Sequence, residues 1–434
     1  MSRRLIRKIL LPSLIFTASL AFLTVPLLRN PLLTGIDGPY YAVQVRWLLE
    51  YNKLKYPDPP LAFILMTLMT ILVGDVFLGI KLTVVIFTSL ASIPWYFLYE
   101  RKNKIVAGLA GGLTFLINWF SPRLASDFMK NSIGLLWFSL YILFCIFYLE
   151  YERKRDLALA SISLLLTALT HILDLGVAFF YSLSLPFLYI LFTKRIEMKT
   201  VIILLQGVAI VIAGLLMPSF VGGDIYKGLV FVEELIEEDN LVILQIQNFL
   251  LSLGMAITLF LASFFTYRKE KTMAIFFLAT GVLAVLLNLP LIPRKWLFRF
   301  RLMSIIPFSC SIGSALYIIE KEHKTLPVLL LILALISSPS LASYRMVKST
   351  ITVPEYNELR KVVALFEEKG YAIVIPDVRI RYWAETFSDN IYRTPKELEQ
   401  TEFIFLTRIN VKRLPFVGHV IWKGKFFIVY MPKK

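Results

Sequence analysis

Apolar runs dominate the chain. Stretches of about twenty apolar residues recur from Ile9 to Ala342, separated by short charged clusters, the pattern of a polytopic helical membrane protein. The pattern places spans at residues 8–28, 76–99, 105–120, 132–149, 157–173, 175–192, 200–217, 241–265, 272–289, 303–319 and 326–342. Leu61 to Val73 is also apolar, but it is short for a crossing.

The positive-inside rule decides how that short segment is read. If it stays at the membrane without crossing, Arg101-Lys102, Arg153-Lys154-Arg155, Lys194-Arg195, Arg268-Lys269, Lys321 and Lys324 all face the cytoplasm. If it crosses, every later cluster inverts. The rule therefore favours about eleven transmembrane helices, with the N-terminus cytoplasmic and the C-terminus outside.

Two stretches depart from the membrane pattern. Asp37-Gly38-Pro39 is a helix-start signature, and Tyr40 to Lys53 mixes apolar residues with Gln44, Arg46 and Glu50, as an interfacial helix does. Pro57-Asp58-Pro59-Pro60 ends it. After Tyr344 the apolar runs stop. Glu355 to Lys369 alternates as an amphipathic helix closed by Gly370, and 371–375, 403–406, 417–422 and 426–431 read as strands. The expected architecture is a transmembrane domain over 1–345, with a first outer loop at 29–75, and a small extracytoplasmic α/β domain over 346–434.

Composition agrees with this reading. The chain has 434 residues, 57% hydrophobic, with mean hydropathy +0.70. Its net charge of +16 would suggest nucleic acid in a soluble protein, but here much of the excess sits in clusters between spans, so no nucleic-acid partner is expected. Cys145 and Cys310 both fall inside spans, which argues against a disulfide framework or a cysteine metal site. The basic start, Met1 to Lys8, leads into a run long enough to span and is read as a retained signal anchor.

One basic cluster falls on the outer side against the rule: Arg294, Lys295, Arg299 and Arg301. An anionic ligand explains it, and an ordinary solvated loop is the alternative. The outer loop 218–240 carries Glu233, Glu234, Glu237, Glu238 and Asp239. That run is either a solvated face or a site for a divalent cation, Mg or Mn, since hard cations want clustered carboxylates. Metal ligands are otherwise unassigned.

The same outer side collects Asp37, Tyr40, Tyr41, Asp58, Arg123, Asp127, Lys130, Asn131, His171 and Asp174. Each also has a structural reading. Asp37, Asp127 and Asp174 can cap the helices that follow them, and His171 can sit satisfied between helices. A reaction that fits the set is glycosyl transfer from a polyprenyl-phosphate sugar. The lipid tail needs a groove among spans, and the leaving phosphate needs cations, for which the 294–301 cluster serves. The acceptor hydroxyl needs a base, for which Asp37 is the choice, with Asp127 sharing that role or orienting the acceptor or a metal.

These features resemble the GT-C superfamily of integral-membrane glycosyltransferases, which includes protein O-mannosyltransferases, oligosaccharyltransferases and lipid A aminoarabinose transferases. Members carry an acidic residue in the first outer loop, matched by Asp37 in Gly35-Ile-Asp-Gly-Pro-Tyr-Tyr41. Many continue with Pro-Pro-Leu and a Gly-acidic turn, matched by Pro59-Pro60-Leu61 and Gly74-Asp75. A second acidic residue after the third span is matched by Asp127 in Ser121-Pro-Arg-Leu-Ala-Ser-Asp127, and the Arg-rich turn before a late span by Arg299 and Arg301. The resemblance implies a dolichyl-phosphate or related donor, surrounding membrane lipids, and a glycan, lipid or protein acceptor. Asp58 stands where mannosyltransferases commonly have His, and Tyr382-Trp383-Ala-Glu385 only faintly echoes the Trp-Trp-Asp triplet of oligosaccharyltransferases. A transporter or flippase without chemistry, and a scaffold that binds a partner, remain open as other classes.

Overall fold

Helices carry most of the chain in this computed structural model, which describes residues 3–216, 246–289, 292, 294–319, 325–398, 402–409 and 418–432. Among the described residues eight helices are long and apolar enough to cross a membrane. They are Ile6–Leu28, Val76–Glu100, Met129–Tyr151, Ile172–Thr193, Met198–Leu216, Asn248–Tyr267, Trp296–Ile319 and Thr325–Met346. A bent pair makes a ninth if it counts as one span.

The expected count of eleven is thus not confirmed among the described residues, and the differences there have local causes. The run at 105–120 breaks into Ile105–Leu116 and Ser121–Asp127, with axes 44° apart. At the break the Asn118 side chain takes over the backbone bonding. Its Nδ2 donates to the Thr114 and Phe115 carbonyls at 2.9 Å, and its Oδ1 accepts from Phe120 N at 2.8 Å. The run at 157–173 becomes Lys154–Ala168, 15 residues, whose first turn is charged and whose end gives way to a new helix after His171. The run at 272–289 becomes Lys271–Leu286, a shorter apolar helix of 16 residues. Leu61–Val73 is likewise a short apolar helix. The acidic loop at 218–240, the start of the 241–265 run, and Lys321 and Lys324 lie outside the described residues.

The chain divides into two compact units, one of Met1–Leu27, Pro57–Leu65 and Leu82–Val347, the other of Leu28–Tyr56, Met66–Lys81 and Lys348–Lys434. In the first, aromatic side chains fill the space between helices. Trp95 stacks on Phe115 at 5.1 Å, and its Nε1 donates to Ser139 Oγ at 3.0 Å. Buried hydroxyls are paired in the same way: Tyr181 with Thr280 at 2.9 Å and Tyr141 with Ser182 at 2.6 Å. Glu150 pairs with both Arg101 and Lys102, and Lys102 also reaches Glu270 at 3.4 Å, which ties several helix ends together. Cys145 and Cys310 are buried and free.

The second unit holds the sheet. Strands β1 (Ala372–Val374), β2 (Ile391–Tyr392), β3 (Phe403–Arg408), β4 (Gly418–Lys423) and β5 (Phe427–Pro432) run in the order β2-β1-β3-β5-β4. β2, β1 and β3 are parallel, while β3, β5 and β4 are antiparallel. The amphipathic helix is Val353–Glu368. Thr352 and Glu355 close a capping box at its start, and Gly370 at φ +79° stands just past its end. It buries Leu359, Val362, Val363 and Phe366. The short helix Val378–Glu385, between β1 and β2, has no counterpart in the sequence-level expectation.

Candidate functional site

Within the first unit the second acidic residue and the basic turn come together. Asp127 ends the helix Ser121–Asp127, so it does not cap the helix that follows; Phe128 occupies that position without a side-chain bond. Arg123, one turn earlier, donates from Nε to Asp127 Oδ2 at 2.7 Å, with Nη2 at 2.5 Å from the same oxygen. Ser126 Oγ donates to Oδ1 at 3.2 Å. The helix packs on Arg294–Leu302 through aromatic rings. Phe128 and Phe298 lie 5.9 Å apart, and the Arg123 guanidinium covers the Phe298 ring at 4.8 Å. Arg299 lies over Phe128 at 5.5 Å and over Trp296 at 5.2 Å. Arg299 is exposed, and the half-buried Arg301 has a buried Nε with no hydrogen-bond partner among the described residues. Arg294 and Lys295 open the same helix, and their side chains lie outside the described set.

Two further pairs line up along the next helix. Lys130 pairs with Asp58, both side chains almost wholly buried, and lies over the Phe63 ring at 5.4 Å. Asn131 Nδ2 donates to Asp174 Oδ1 at 2.5 Å and meets Met303 Sδ at 3.6 Å. Asp174 Oδ2 is buried with no hydrogen-bond partner among the described residues. Gly134 makes this approach possible, because a Cβ there would stand 2.1 Å from that oxygen. The structure corrects the capping assignments here. His171, not Asp174, caps Ile172–Thr193, its Nδ1 accepting from Leu173 N at 3.3 Å. An Nδ1 that accepts this bond is unprotonated, so its 3.7 Å approach to Asp174 is not an ion pair in that state.

The second unit holds Asp37 and the tyrosines. Pro39 starts the helix Gly38–Tyr51 as expected, yet Asp37 at the cap position makes no side-chain cap bond. Its carboxylate is half-exposed, and its charge acts on the Tyr382 phenol. Tyr40 stacks on Tyr56 at 5.9 Å and meets Tyr382 edge-on at 5.4 Å, with Tyr41 at 5.8 Å on its other side. Gln44 Nε2 fastens Tyr40 OH at 2.9 Å and the Tyr56 carbonyl at 2.8 Å. Below the rings Glu385, 2% exposed, accepts from Tyr56 OH at 2.8 Å and faces Lys55 at 3.3 Å and Arg381 at 3.5 Å. Burial first, and then the Glu385 charge, pushes the Tyr56 phenol well above its ordinary range. Burial lowers the Lys55 ammonium, against the pull of Glu385. Tyr382 is raised, again by burial first.

Residues 55–347 match the family model described as the 6-pyruvoyl-tetrahydropterin synthase related domain, a membrane protein. The chain belongs to this family. No curated protein matches this member in sequence. Its fold is similar to the crystal structure of the Archaeoglobus fulgidus oligosaccharyltransferase complex with Zn and sulfate, with TM-score 0.56 and 13% identity. The match covers 88% of this chain and 62% of that one, so this member of the 6-pyruvoyl-tetrahydropterin synthase related family spans less than two thirds of that protein's length. Likeness at this identity is likeness of fold.

The expected site residues therefore fall into groups: Asp127 with Arg123 and Arg299; Asp58 with Lys130; Asn131 with Asp174 and His171; and Asp37 with Tyr40 and Tyr41. Among the described residues no three His, Cys, Asp or Glu side chains gather as metal ligands. Lys55, Tyr56, Arg381, Tyr382 and Glu385 were not foreseen as one cluster. Their signal in sequence is faint: an i,i+4 Arg381–Glu385 pair and a Lys-Tyr step before Pro57.

Proposed function

We propose that this membrane protein is a glycosyltransferase, moving a sugar from a polyprenyl-phosphate donor to an acceptor hydroxyl or amide on the outer face of the membrane. The observation that carries the reading is the packing of the Arg123–Asp127 segment, through Phe298 and Phe128, on the helix that carries the exposed Arg299. A guanidinium held by two aromatic rings, next to another already balanced by a carboxylate, suits a phosphate that gains charge as it leaves. The likeness in fold to an oligosaccharyltransferase supports the same class.

Asp37 takes the proton of the acceptor as its oxygen or nitrogen attacks the anomeric carbon. The carbon–oxygen bond to phosphate breaks on the opposite side, so configuration inverts and polyprenyl phosphate leaves. Arg294, Lys295, Arg299 and Arg301 stabilise that phosphate. Asp127, charge-paired with Arg123, orients rather than abstracts. In the first unit Asp58, Lys130, Asn131, His171 and Asp174 are assigned to substrate binding, and in the second Tyr40 and Tyr41 accompany Asp37. Among the described residues no three His, Cys, Asp or Glu side chains gather as metal ligands, and the acidic run at 233–239, the candidate for Mg or Mn, lies outside them. In this reading the N-terminus is cytoplasmic and the 346–434 domain is extracytoplasmic.

Donor binding tests the reading. The full chain in lipid nanodiscs, titrated with radiolabelled dolichyl-phosphate mannose and glucose, binds one of them in wild type. Arg299→Gln weakens that binding about tenfold, the size of one lost charge-assisted contact. Binding that ignores Arg299→Gln overturns the phosphate assignment. Passage of intact donor across the bilayer, with the sugar never transferred, points to a flippase.

A further inference from the structure

A groove of about 420 Å³ runs along the helix Ile172–Thr193, a size in the range of ligand pockets. Phe180, Leu183, Pro186, Phe187 and Ile190 form one wall, and Leu204 of Met198–Leu216 forms the other. The lining is almost wholly apolar; its single hydroxyl, Ser184 Oγ, is buried with no hydrogen-bond partner among the described residues. Phe187 is 66% exposed at its edge. A large aromatic exposed on a membrane span faces lipid rather than water.

The spacing gives the groove a direction. Phe180, Leu183, Phe187 and Ile190 recur at intervals of three and four residues, which is one helical stripe. Lys194, four residues past Ile190, is the left-handed cap of the helix at φ +54°, and Arg195 follows it; both are exposed, and neither is in an ion pair among the described residues. From Phe180 to Ile190 the helix rises about 15 Å, at 1.5 Å per residue. That is half of a hydrocarbon core of about 30 Å, the depth of one leaflet. Beside the cations Ile196 and Met198 are 76% and 73% exposed, as suits apolar side chains at the level of the headgroups.

We infer that this groove holds one acyl chain of an anionic glycerophospholipid, with Lys194 and Arg195 on its headgroup phosphate. An apolar slot one leaflet deep, whose lining stops about one helical turn short of two cations, has the shape and charge of a single such lipid. A polyprenyl chain is longer than one leaflet, and its phosphate belongs with the basic cluster at 294–301. The charge rule places Lys194 and Arg195 in the cytoplasmic leaflet, where anionic lipid attracts basic residues.

The test uses the full chain, purified and delipidated in mild detergent, and native mass spectrometry to count bound lipid. Dioleoyl phosphatidylglycerol binds one to one, and dioleoyl phosphatidylcholine binds far more weakly. The double variant Lys194→Gln/Arg195→Gln weakens phosphatidylglycerol about twenty-five-fold, at about fivefold for each charge. Ser184→Phe, which fills the slot, removes it. If Ser184→Phe fails to fold, the surface charge variant decides alone. Equal binding of the two lipids by wild type, or unchanged phosphatidylglycerol binding in the charge variant, overturns the assignment. Displacement of phosphatidylglycerol by an equal concentration of undecaprenyl phosphate also overturns it, and gives the groove to a polyprenyl chain.

Discussion

Arg123 and Asp127 share one oxygen: Nε and Nη2 of the arginine lie 2.7 and 2.5 Å from Oδ2 of the aspartate. Asp127 is 6% exposed, and that guanidinium is its ion-pair partner. Arg123→Ala is expected to destabilise the protein by about 3 kcal/mol, because it leaves a buried carboxylate uncompensated. Arg123→Ala/Asp127→Asn recovers most of that loss. Thermal unfolding in detergent measures both, and losses that simply add contradict the coupling.

The Lys130–Asp58 pair is buried at both ends and makes a stronger case. Lys130→Met is expected to cost about 3–5 kcal/mol. The double change with Asp58→Asn is milder than Lys130→Met alone, read from the same melts.

Gly134 faces Asp174 with no room for a methyl group. Gly134→Ala is expected to cost about 1–3 kcal/mol by pushing the carboxylate off Asn131. In an Asp174→Ala background the same change is nearly neutral. A double-mutant cycle that shows no coupling sets this contact aside.

Alkaline pH should loosen the second unit. Tyr56 and Tyr382 are both raised by burial, so the folded state keeps protons that the unfolded chain loses above about pH 10. Stability from these phenols is full below that pH and falls as pH rises further. Lys55 is lowered and works in the opposite sense, gaining stability as pH rises towards its ordinary value. Two phenols outweigh one amine. Tyr56→Phe therefore flattens the fall in melting temperature between pH 9.5 and pH 11, where an unchanged slope would contradict the linkage.

Period and punctuation made much of the fold legible. The helix start at Pro39, the helix closed by Gly370, and the strand runs at 403–406, 417–422 and 426–431 reappear within a residue or two. The span count was less legible, because hydropathy sums over a window and cannot see one side chain redirect the backbone, as Asn118 does. The alternative reading of Asp37, Asp127 and Asp174 as caps does not hold either. An aspartate before a helix is a cap only if its side chain turns to the first amides, and His171 took that place ahead of Asp174. The Tyr56–Glu385 contact joins residues over three hundred positions apart, and no local pattern encodes it.

The central claim is chemical transfer with Asp37 as base. The direct measurement is single-turnover sugar transfer by wild type and Asp37→Asn, from radiolabelled polyprenyl-phosphate sugars to a native lipid and glycan extract, with donor binding measured in parallel. The account predicts transfer by wild type and a loss of about 10³-fold in Asp37→Asn, with donor still bound, the size of a lost general base. Transfer at the wild-type rate by a folded, donor-binding Asp37→Asn would contradict it.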